Sequence, residues 1–357
     1  MRKITGDTGR CVFFATDMCF RPEFYSSLAL IFVLYNGYLV WFEDFLRLET
    51  TKSLEAELNS ENSNYKERLR FRNILLNWPP DKPKAAVYYL AKGDRLHKLS
   101  RSLTSLHRSF LRAFDYPVIV FHETDSRDLL HRKLRKKHAN IRLFLQEVQF
   151  NAPVHVNASL GRVNIGCKRF PIGYRHMCRF HSKQVYEQEI LVGLEYAWRL
   201  DDDSLLLKTI NYDLFAFMKN RRFQYGYITI TPDSPECTKY LWEAAKLHKK
   251  RRHLESLYFD KWTEPNVFYN NFEISALSLW ASRQYQDYIN YIDSLGGIYY
   301  HRWGDAPIKT IAVTLFLRKE ETYLFTNVSY QHQGFTSRTI RAQAAAAAAI
   351  AVKLASQ

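Results

Sequence analysis

The sequence predicts an α/β protein of the Rossmann type, a mixed sheet flanked by helices. Residues 85–90 (AAVYYL) and 117–121 (PVIVF) each have the composition of a buried strand. Between them, apolar side chains recur at steps of three and four, as on one face of a helix: Leu96, Leu99, Leu103, Leu106, Phe110 and Phe114. A strand, an amphipathic helix and a second strand form a βαβ unit, whose two strands lie parallel.

The later elements follow in order. Residues 141–148 and 223–230 are typical of strands, and residues 191–200 can end as a buried strand. Residues 277–295 favour a helix that ends at the Gly296-Gly297 pair. The expected sheet is therefore mixed rather than wholly parallel.

The chain length allows one large domain preceded by smaller segments. At 357 residues, the protein is only slightly longer than a single hydrophobic core usually extends. We predict a cytosolic tail, a transmembrane signal anchor, a stem that ends in a proline-rich stop, a catalytic domain and an alanine-rich tail. Their respective bounds are 1–23, 24–42, 43–83, 84–335 and 336–357.

The anchor rests on the segment from Ser26 to Phe42, which has no charged residue. Extended back to Phe24, it reaches the length of roughly 18 residues at which a membrane span becomes plausible. The alternative is a buried core helix. Basic residues precede the segment and acidic residues follow it, which places the short N-terminus in the cytosol and the rest in the lumen of the secretory pathway.

Composition excludes intrinsic disorder for most of the chain, since 46% of the residues are hydrophobic and 15% aromatic. The 51 Lys and Arg against 36 Asp and Glu give a net charge of +15, which suits polyanions, phosphorylated small molecules or an anionic membrane. Basic clusters at 131–138 and 246–253 are interpreted as solvated helix faces, with no nucleic acid as partner. The five cysteines lack zinc-module spacing, and an odd number leaves at least one thiol unpaired.

Three consecutive acids, Asp201 to Asp203, directly follow the predicted strand that ends at Leu200. Ligands of α/β sheets bind at the carboxyl ends of the strands. If strand geometry continues, Asp201 and Asp203 point to one side and together can hold a hard divalent cation. A solvated acidic turn is the alternative. The D-x-D arrangement is typical of enzymes that use nucleotide sugars.

Three further segments combine polar and aromatic residues. Residues 173–180 (GYRHMCRF) offer an aromatic ring and two guanidinium groups for stacking a base and binding phosphates. Residues 271–274 (NFEI) set a single acid among apolar neighbours, which perturbs a carboxyl pKa. Residues 300–307 (YHRWGDAP) form a dense polar and aromatic turn. Each segment alone is compatible with a purely structural role.

Together and in this order, these segments resemble the fungal Golgi α-1,2-mannosyltransferases of glycosyltransferase family 15. The resemblance covers residues 84–335 and rests on YRHMCRF, WR followed by three acids, NFEI and GGIYYHRWGDAPI. It implies a GT-A fold, GDP-mannose as donor, Mn²⁺ as cofactor, and retaining transfer to the 2-hydroxyl of an α-mannoside on a glycoprotein or glycolipid. It also implies a single-pass type II protein of the Golgi membrane.

The resemblance assigns roles position by position. Asp201, Asp203 and His332 are the implied metal ligands, Glu273 is the implied nucleophile or stabilising acid, and Tyr174 is the implied donor-binding tyrosine. A covalent route through Glu273 and a same-face substitution that it only stabilises both remain open.

Other residues of these motifs have two possible roles. Arg175 and Arg179 are predicted to bind donor phosphates, with an ion pair inside the fold as the alternative. Arg302, Trp303 and Asp305 are assigned to acceptor binding or structure. Asp305 either orients acceptor hydroxyls or caps the helix expected to begin near Pro307.

The chain departs from the family pattern at three places. Asp202 replaces the usual proline, residues 267–270 (VFYN) replace a stretch that usually contains a cysteine, and Lys309 stands where histidine is common. The second departure puts the family's cysteine pairing in doubt. It also keeps an alternative function for this protein, that of a catalytically silent relative serving as a mannose-binding or scaffolding subunit. A metal-dependent phosphohydrolase needs two metals and more clustered His and Asp residues than the sequence offers.

Overall fold

The computed structural model describes residues 63–156, 167, 170–339 and 342. The chain divides into two compact units, Met1–Asn62 and Ser63–Gln357, and every described residue belongs to the second. The predicted tail, anchor and most of the alanine-rich end lie outside the described residues, as does the first part of the predicted stem. Within the described ranges, no helix has both the length and the apolarity needed to span a bilayer.

The described unit alternates strands and helices. The strands are β1 Ala85–Ala91, β2 Val118–His122, β3 Leu143–Glu147, β4 Tyr196–Leu200, β5 Leu205–Leu206, β6 Tyr225–Tyr227, β7 Ile230–Pro232, β8 Asn266–Phe268, β9 Phe272–Ala276, β10 Thr322–Leu324, β11 Tyr330–His332 and β12 Phe335–Thr336. The helices are α1 (63–76), α2 Leu96–Leu106, α3 Arg127–Lys137, α4 Ile172–Ser182, α5 Leu214–Asn220, α6 Leu241–Arg251, α7 Leu257–Asp260, α8 Leu277–Ala281, α9 Arg283–Ser294, α10 Gly297–Tyr300 and α11 Asp305–Phe316. A π-helical turn, His107–Leu111, and a short helical segment, Arg112–Phe114, continue α2.

The central sheet has seven strands in the order β10-β6-β9-β4-β1-β2-β3. Strands β1, β2, β3 and β4 are mutually parallel where they pair, which confirms the predicted βαβ unit. Strand β9 runs antiparallel to both β4 and β6, so the sheet is mixed, as predicted. The carboxyl end of β4 and the amino end of β9 therefore meet at the same edge.

Strand β1 shows why the sheet is buried on both faces. Val87 and Tyr89 pack with the apolar face of α2, whereas Ala86 and Tyr88 belong to a cluster on the opposite face that includes Phe180 of α4. Successive side chains of a strand alternate between faces, and here both faces meet helices. Because helices cover both faces of β1, its side chains are apolar at every position, and the strand is a continuous apolar run in the sequence.

Two predicted elements differ from the structure. The strand expected over 223–230 is two short strands, because β6 stays in the central sheet while β7 leaves it to pair with β8. The helix expected over 277–295 is interrupted at Ser282, whose side chain accepts a hydrogen bond from the Tyr285 amide and so starts α9. The stop at Gly296 is confirmed, since this residue has a left-handed φ of 66°.

The cysteines and the basic clusters also have defined places. Cys167 and Cys237 form a disulfide, and Cys178 is buried with a free thiol. The family's cysteine pairing was in doubt from sequence, and this bridge supplies a pairing that does not involve residues 267–270. The basic clusters lie mainly on α3 and at the end of α6, where most of their charged side chains are exposed.

Candidate active site

A cavity of about 810 Å³ opens at the edge of the sheet where β1 and β4 end and β9 begins. This volume lies in the range of small-molecule sites. The cavity is lined by Ala91 and Lys92 at the end of β1, by Asp201 and Asp202 after β4, and by Asn270 and Asn271 before β9. Further lining side chains come from α4, the start of α11 and β11. The predicted position of a ligand site at the carboxyl ends of parallel strands is the position observed.

The three predicted metal ligands converge at this edge. Nε2 of His332 lies 3.0 Å from Oδ1 of Asp203 and 3.5 Å from Oδ2 of Asp201. Strand β11 brings His332 here because it pairs with β5, which follows the acidic triplet directly. The two carboxylates therefore meet at one side, but strand geometry, on which that expectation depended, ends at Leu200, and residues 202 and 203 form a turn.

Charge holds this cluster together. Burial disfavours the imidazolium of His332, but hydrogen bonds and charges from Asp201 and Asp203 outweigh it and raise the pKa to about 9. The pKa of Asp201 lies far below its ordinary value, because Arg199 and His332 outweigh the effect of burial. At neutral pH, the cluster is thus two carboxylates joined by one imidazolium.

These donors fit a transition metal. Oδ1 of Asp203 and Nε2 of His332 are buried 3.0 Å apart, and neither atom has a hydrogen-bond partner outside the cluster of Asp201, Asp203 and His332. Two carboxylates and one imidazole nitrogen are ligands that Mn²⁺ accepts. The side chains contact one another directly, and in the described part of the chain no three His, Cys, Asp or Glu side chains surround an open coordination site. A metal would have to displace the proton on His332.

Asp202, which replaces the family's proline, forms an ion pair. Arg95 donates from Nε and Nη2 to both carboxylate oxygens of Asp202, and its Nη2 also lies 3.1 Å from Oδ2 of Asp203. Bidentate pairs of this kind are among the stronger charge-assisted contacts. The acidic turn is therefore held by Arg95 as well as by His332.

Tyr174 of α4 and Arg302 form one wall of the cavity. The guanidinium of Arg302 lies over the rings of Phe170 and Tyr174, with 4.4 Å and 5.2 Å to the ring centres, and donates a hydrogen bond to the Tyr174 hydroxyl. Arg302 adopts a left-handed φ of 64°, which is unusual for a non-glycine residue. Its neighbour Trp303 does not line the cavity; its indole donates to the carbonyl of Lys239.

The two other predicted donor-binding residues lie outside the cavity lining. Arg175 donates to the carbonyl oxygen of Tyr299, and Arg179 forms a bidentate ion pair with Asp293, at 2.8 and 2.9 Å. Both therefore join α4 to the region of α9 and α10. Of the two roles considered for Arg179, phosphate binding and an ion pair inside the fold, the structure shows the ion pair.

Asp305 is the first residue of α11 and lies at the cavity floor. Its carboxylate accepts hydrogen bonds from Arg199 and from the side-chain amide of Asn270, the latter at 2.7 Å. Gly304, not Asp305, is the helix N-cap, so the prediction that Asp305 caps this helix was wrong. Burial opposes ionisation of Asp305, but the neighbouring Arg199 lowers its pKa below the ordinary value.

Glu273 of β9 lies behind the cavity and does not line it. Its carboxylate forms an ion pair with Lys309 and accepts a hydrogen bond of 2.9 Å from the Tyr225 hydroxyl. Neither side chain of the ion pair is more than 1% exposed. The ammonium also lies 4.6 Å from the ring centre of Trp280. The catalytic role of Glu273 stays a prediction.

Sequence reasoning missed several side chains that complete the site. Residues 267–270, noted only as a departure from the family, all line the cavity. The Tyr269 hydroxyl lies 2.6 Å from Nδ1 of His332. The amide of Asn271 donates to Asp201. Arg199 and Asn271 lie within the WR and NFEI motifs, so those motifs could have indicated both residues as part of the site. Nothing in the sequence indicated Arg95.

The comparisons with known proteins agree with the motifs. Residues 44–347 match the sequence model of a family described as glycolipid 2-alpha-mannosyltransferase. Glycolipid 2-alpha-mannosyltransferase 1 of Candida albicans is 30% identical over 276 residues, which are 72% of this chain and 64% of that protein. Probable mannosyltransferase KTR3 of Saccharomyces cerevisiae is also 30% identical, over 72% of this chain and 68% of its own length.

Two solved structures show the same fold. Mannosyltransferase Ktr4p of S. cerevisiae has a TM-score of 0.67 at 23% identity, covering 78% of this chain and 81% of that one. Core-mannan synthase A of Aspergillus fumigatus, solved in its Mn/GDP form, has a TM-score of 0.66 at 24% identity and covers 72% and 76%. The chain spans about two thirds of the length of the relatives that it matches. By the extent of the family match, this chain belongs to the glycolipid 2-α-mannosyltransferases of glycosyltransferase family 15.

Proposed function

We propose that this protein is a retaining α-1,2-mannosyltransferase that transfers mannose from GDP-mannose to the 2-hydroxyl of an α-mannoside on a glycoprotein or glycolipid. The principal observation is the convergence of Asp201, Asp203 and His332, of which Asp201 and His332 line the cavity. Relatives carry the name of this activity, and core-mannan synthase A was solved with Mn and GDP.

The proposed metal site faces a cavity that suits a nucleotide diphosphate. Asp201, Asp203 and His332 would hold Mn²⁺, which would neutralise negative charge on the departing diphosphate. Besides Arg199, which is paired with Asp201 and Asp305, three Lys and Arg side chains line the same cavity: Lys92, Arg95 and Arg302. We assign phosphate binding to these cations, because they face the cavity and Arg175 and Arg179 do not.

Tyr174 is proposed to contact the donor. Its ring lies 4.3 Å from that of Phe170, and both rings line the cavity beside the guanidinium of Arg302. A planar base can stack on such aromatic and guanidinium surfaces. Arg302 would therefore contribute both to stacking of the base and to binding of the phosphates on this wall of the cavity.

Retention of configuration is proposed to follow the same-face route. A covalent intermediate on Glu273 would require its carboxylate to leave Lys309 and Tyr225 and to reach the cavity, which it does not line. In the same-face route, the negative charge of Glu273 stabilises positive charge on the sugar from behind the floor. In this assignment, Glu273 raises the reaction rate electrostatically and forms no covalent bond to the sugar.

The predicted topology is part of the proposal. A disulfide between Cys167 and Cys237 is typical of an oxidising compartment, which supports a lumenal domain. We propose a single-pass type II protein of the Golgi membrane. Residues 43–357 are then expected to resist protease in sealed microsomes and to become sensitive when detergent is added. Digestion without detergent would refute this topology.

The activity is tested with the full chain in detergent, supplied with GDP-mannose, Mn²⁺ and methyl α-mannoside. A disaccharide with an α-1,2 linkage by NMR is expected, and excess EDTA should abolish its formation. Asp201→Asn should lower turnover at least about 100-fold. Asp260→Asn, which changes an exposed aspartate on α7, is the matched control. Free mannose or phosphate would indicate a hydrolase, and no product with intact GDP-mannose binding would indicate the silent relative.

A further inference from the structure

The floor of the cavity contains an imidazole that the proposed metal and phosphate sites do not use. His181, in the last turn of α4, lines the cavity beside Arg199 and Asp305, and all three are at least 95% buried. Arg199 and Asp305 are paired with each other, whereas His181 forms no ion pair with any residue in the described part of the chain. These three side chains are called the floor triad.

The floor triad contains polar atoms that the protein leaves unsatisfied. Nδ1 of His181 and Nε of Arg199 are buried without a hydrogen-bond partner. Among the described residues, no hydrogen bond joins either ring nitrogen of His181 to protein. Buried polar atoms in natural proteins nearly always have a partner, and an unmade bond costs about 1–3 kcal/mol. Such atoms beside a cavity indicate that a polar ligand supplies the missing bond.

The ionisation of His181 defines what that ligand can be. Burial and the nearby charge of Arg199 lower its pKa to about 3, so the imidazole is neutral at physiological pH. A neutral imidazole has one donor and one acceptor. It therefore matches a hydroxyl group, which also donates and accepts, better than it matches a phosphate, which only accepts.

The position of the triad fits a sugar joined to a diphosphate. Arg199 contacts Asp305 through Nη1 and Asp201 through Nη2, the latter at 3.1 Å. The guanidinium of Arg199 thus joins Asp305 of the triad to Asp201 of the proposed metal site. A hexose attached to a diphosphate at Asp201 would lie next to that diphosphate, in the cavity that Arg199, Asp305 and His181 line.

We infer that the floor triad is the subsite for the transferred hexose and that His181 is a specificity-determining residue, which exchanges a hydrogen bond with a ring hydroxyl of that sugar. The inference rests on the proposed function, since it takes GDP-mannose as the donor. Neither the metal ligands nor the motif residues of the resemblance include His181.

The test compares GDP-mannose with GDP, because only the former has a hexose. Full-length protein in detergent is titrated with each in the presence of Mn²⁺ by calorimetry. His181→Leu is expected to weaken GDP-mannose binding about tenfold relative to GDP, since it removes a hydrogen bond in a buried site. His181→Asn, which restores a donor and an acceptor, should recover part of that loss. His248→Leu, the same change at another buried histidine, should leave the ratio unchanged.

Separate outcomes refute the inference and the proposed function. An unchanged ratio in His181→Leu, or an equal loss in His181→Asn and His181→Leu, would overturn the role of His181 while leaving GDP-mannose as the donor. Failure of the unmodified protein to bind GDP or GDP-mannose would instead refute the proposed function. Unaltered GDP affinity in each variant shows that the cavity is folded, so loss of fold cannot imitate the expected result.

Discussion

The buried ion pair between Glu273 and Lys309 provides the sharpest test of how this structure is stabilised. The two side chains are 1% and 0% exposed, so neither charge is hydrated. Glu273→Gln leaves the ammonium buried without its carboxylate, and Lys309→Met leaves the carboxylate without its ammonium. Breaking a buried pair in this way costs about 3–5 kcal/mol of the free energy of unfolding.

The double variant Glu273→Gln with Lys309→Met is expected to behave differently. It removes both charges and replaces them with neutral side chains of similar length, so no uncompensated charge remains. Its free energy of unfolding should lie closer to that of the unmodified protein than either single variant does. Urea unfolding measures the three values, and Asp260→Asn, which breaks an exposed pair with Lys249, should change stability by less than about 0.5 kcal/mol.

The single variant Glu273→Gln also has a predicted pH signature. The pKa of Lys309 is already lowered, chiefly by burial, and Glu273 is the main group that opposes this. Without Glu273, the folded state binds fewer protons than the unfolded state below the ordinary lysine pKa of about 10.4. Stability of the variant should therefore rise as pH increases towards that value. Additive losses in the double variant, or a loss that is independent of pH, would refute this reasoning.

The same double variant separates the two roles of Glu273. If its charge stabilises the transition state, the folded double variant should lose activity by a factor of about 100 or more while GDP-mannose affinity stays unchanged. If Glu273 only maintains the fold, activity should be retained once stability is restored. A stable and active double variant would therefore exclude the catalytic role.

Further predictions concern the metal site, the disulfide and a buried glycine. Metal-free protein should bind Mn²⁺ about tenfold more tightly per pH unit as pH rises towards 9, because the metal replaces the proton on His332. In the same metal-free protein, the contribution of the His332 imidazolium to the free energy of unfolding is complete below about pH 6.5 and is lost as pH rises through 9. Removing the disulfide with Cys167→Ala and Cys237→Ala should cost about 4 kcal/mol by chain entropy, since the bridged positions are 70 residues apart. Gly297→Ala should cost about 1–3 kcal/mol, because its added methyl group would lie 2.3 Å from Trp303.

Each of these has a result that would contradict it. Calorimetric Mn²⁺ titrations from pH 6 to 9 with constant affinity would show that His332 does not exchange a proton for metal. Thermal unfolding of the cysteine variant at the unmodified temperature would show that the bridge adds no stability. Normal stability of Gly297→Ala would show that the Trp303 ring can move aside.

The sequence determined the local elements and the candidates for chemistry. Apolar periodicity predicted β1, α2 and β2 because double-sided burial and one-sided helix burial each leave a distinct pattern. The D-x-D triplet after a buried strand predicted the edge of the sheet at which the cavity lies. His332 was named only through the resemblance. It lies 131 residues after Asp201, and no local sequence pattern connects two residues that far apart.

Tertiary structure decided which of those candidates face the cavity. Tyr174 and Arg179 lie on the same helix, yet Tyr174 lines the cavity and Arg179 is paired with Asp293, because the position of a side chain around the helix axis sets what it meets. The sequence of residues 223–230 likewise did not indicate which strands pair with β6 and β7, because the pairing depends on strands that are distant in the sequence.

The acidic residues show the same division. Sequence reasoning could name Glu273 as a lone acid among apolar neighbours, but only the packing of α11 on β9 places Lys309 against it. Asp305 and His181 become neighbours of Arg199 only in the fold, although they lie 106 and 18 residues away from it in the sequence. Sequence determines which groups can ionise or bond, whereas burial and long-range contacts determine which charges are neutralised and which atoms remain available to a ligand.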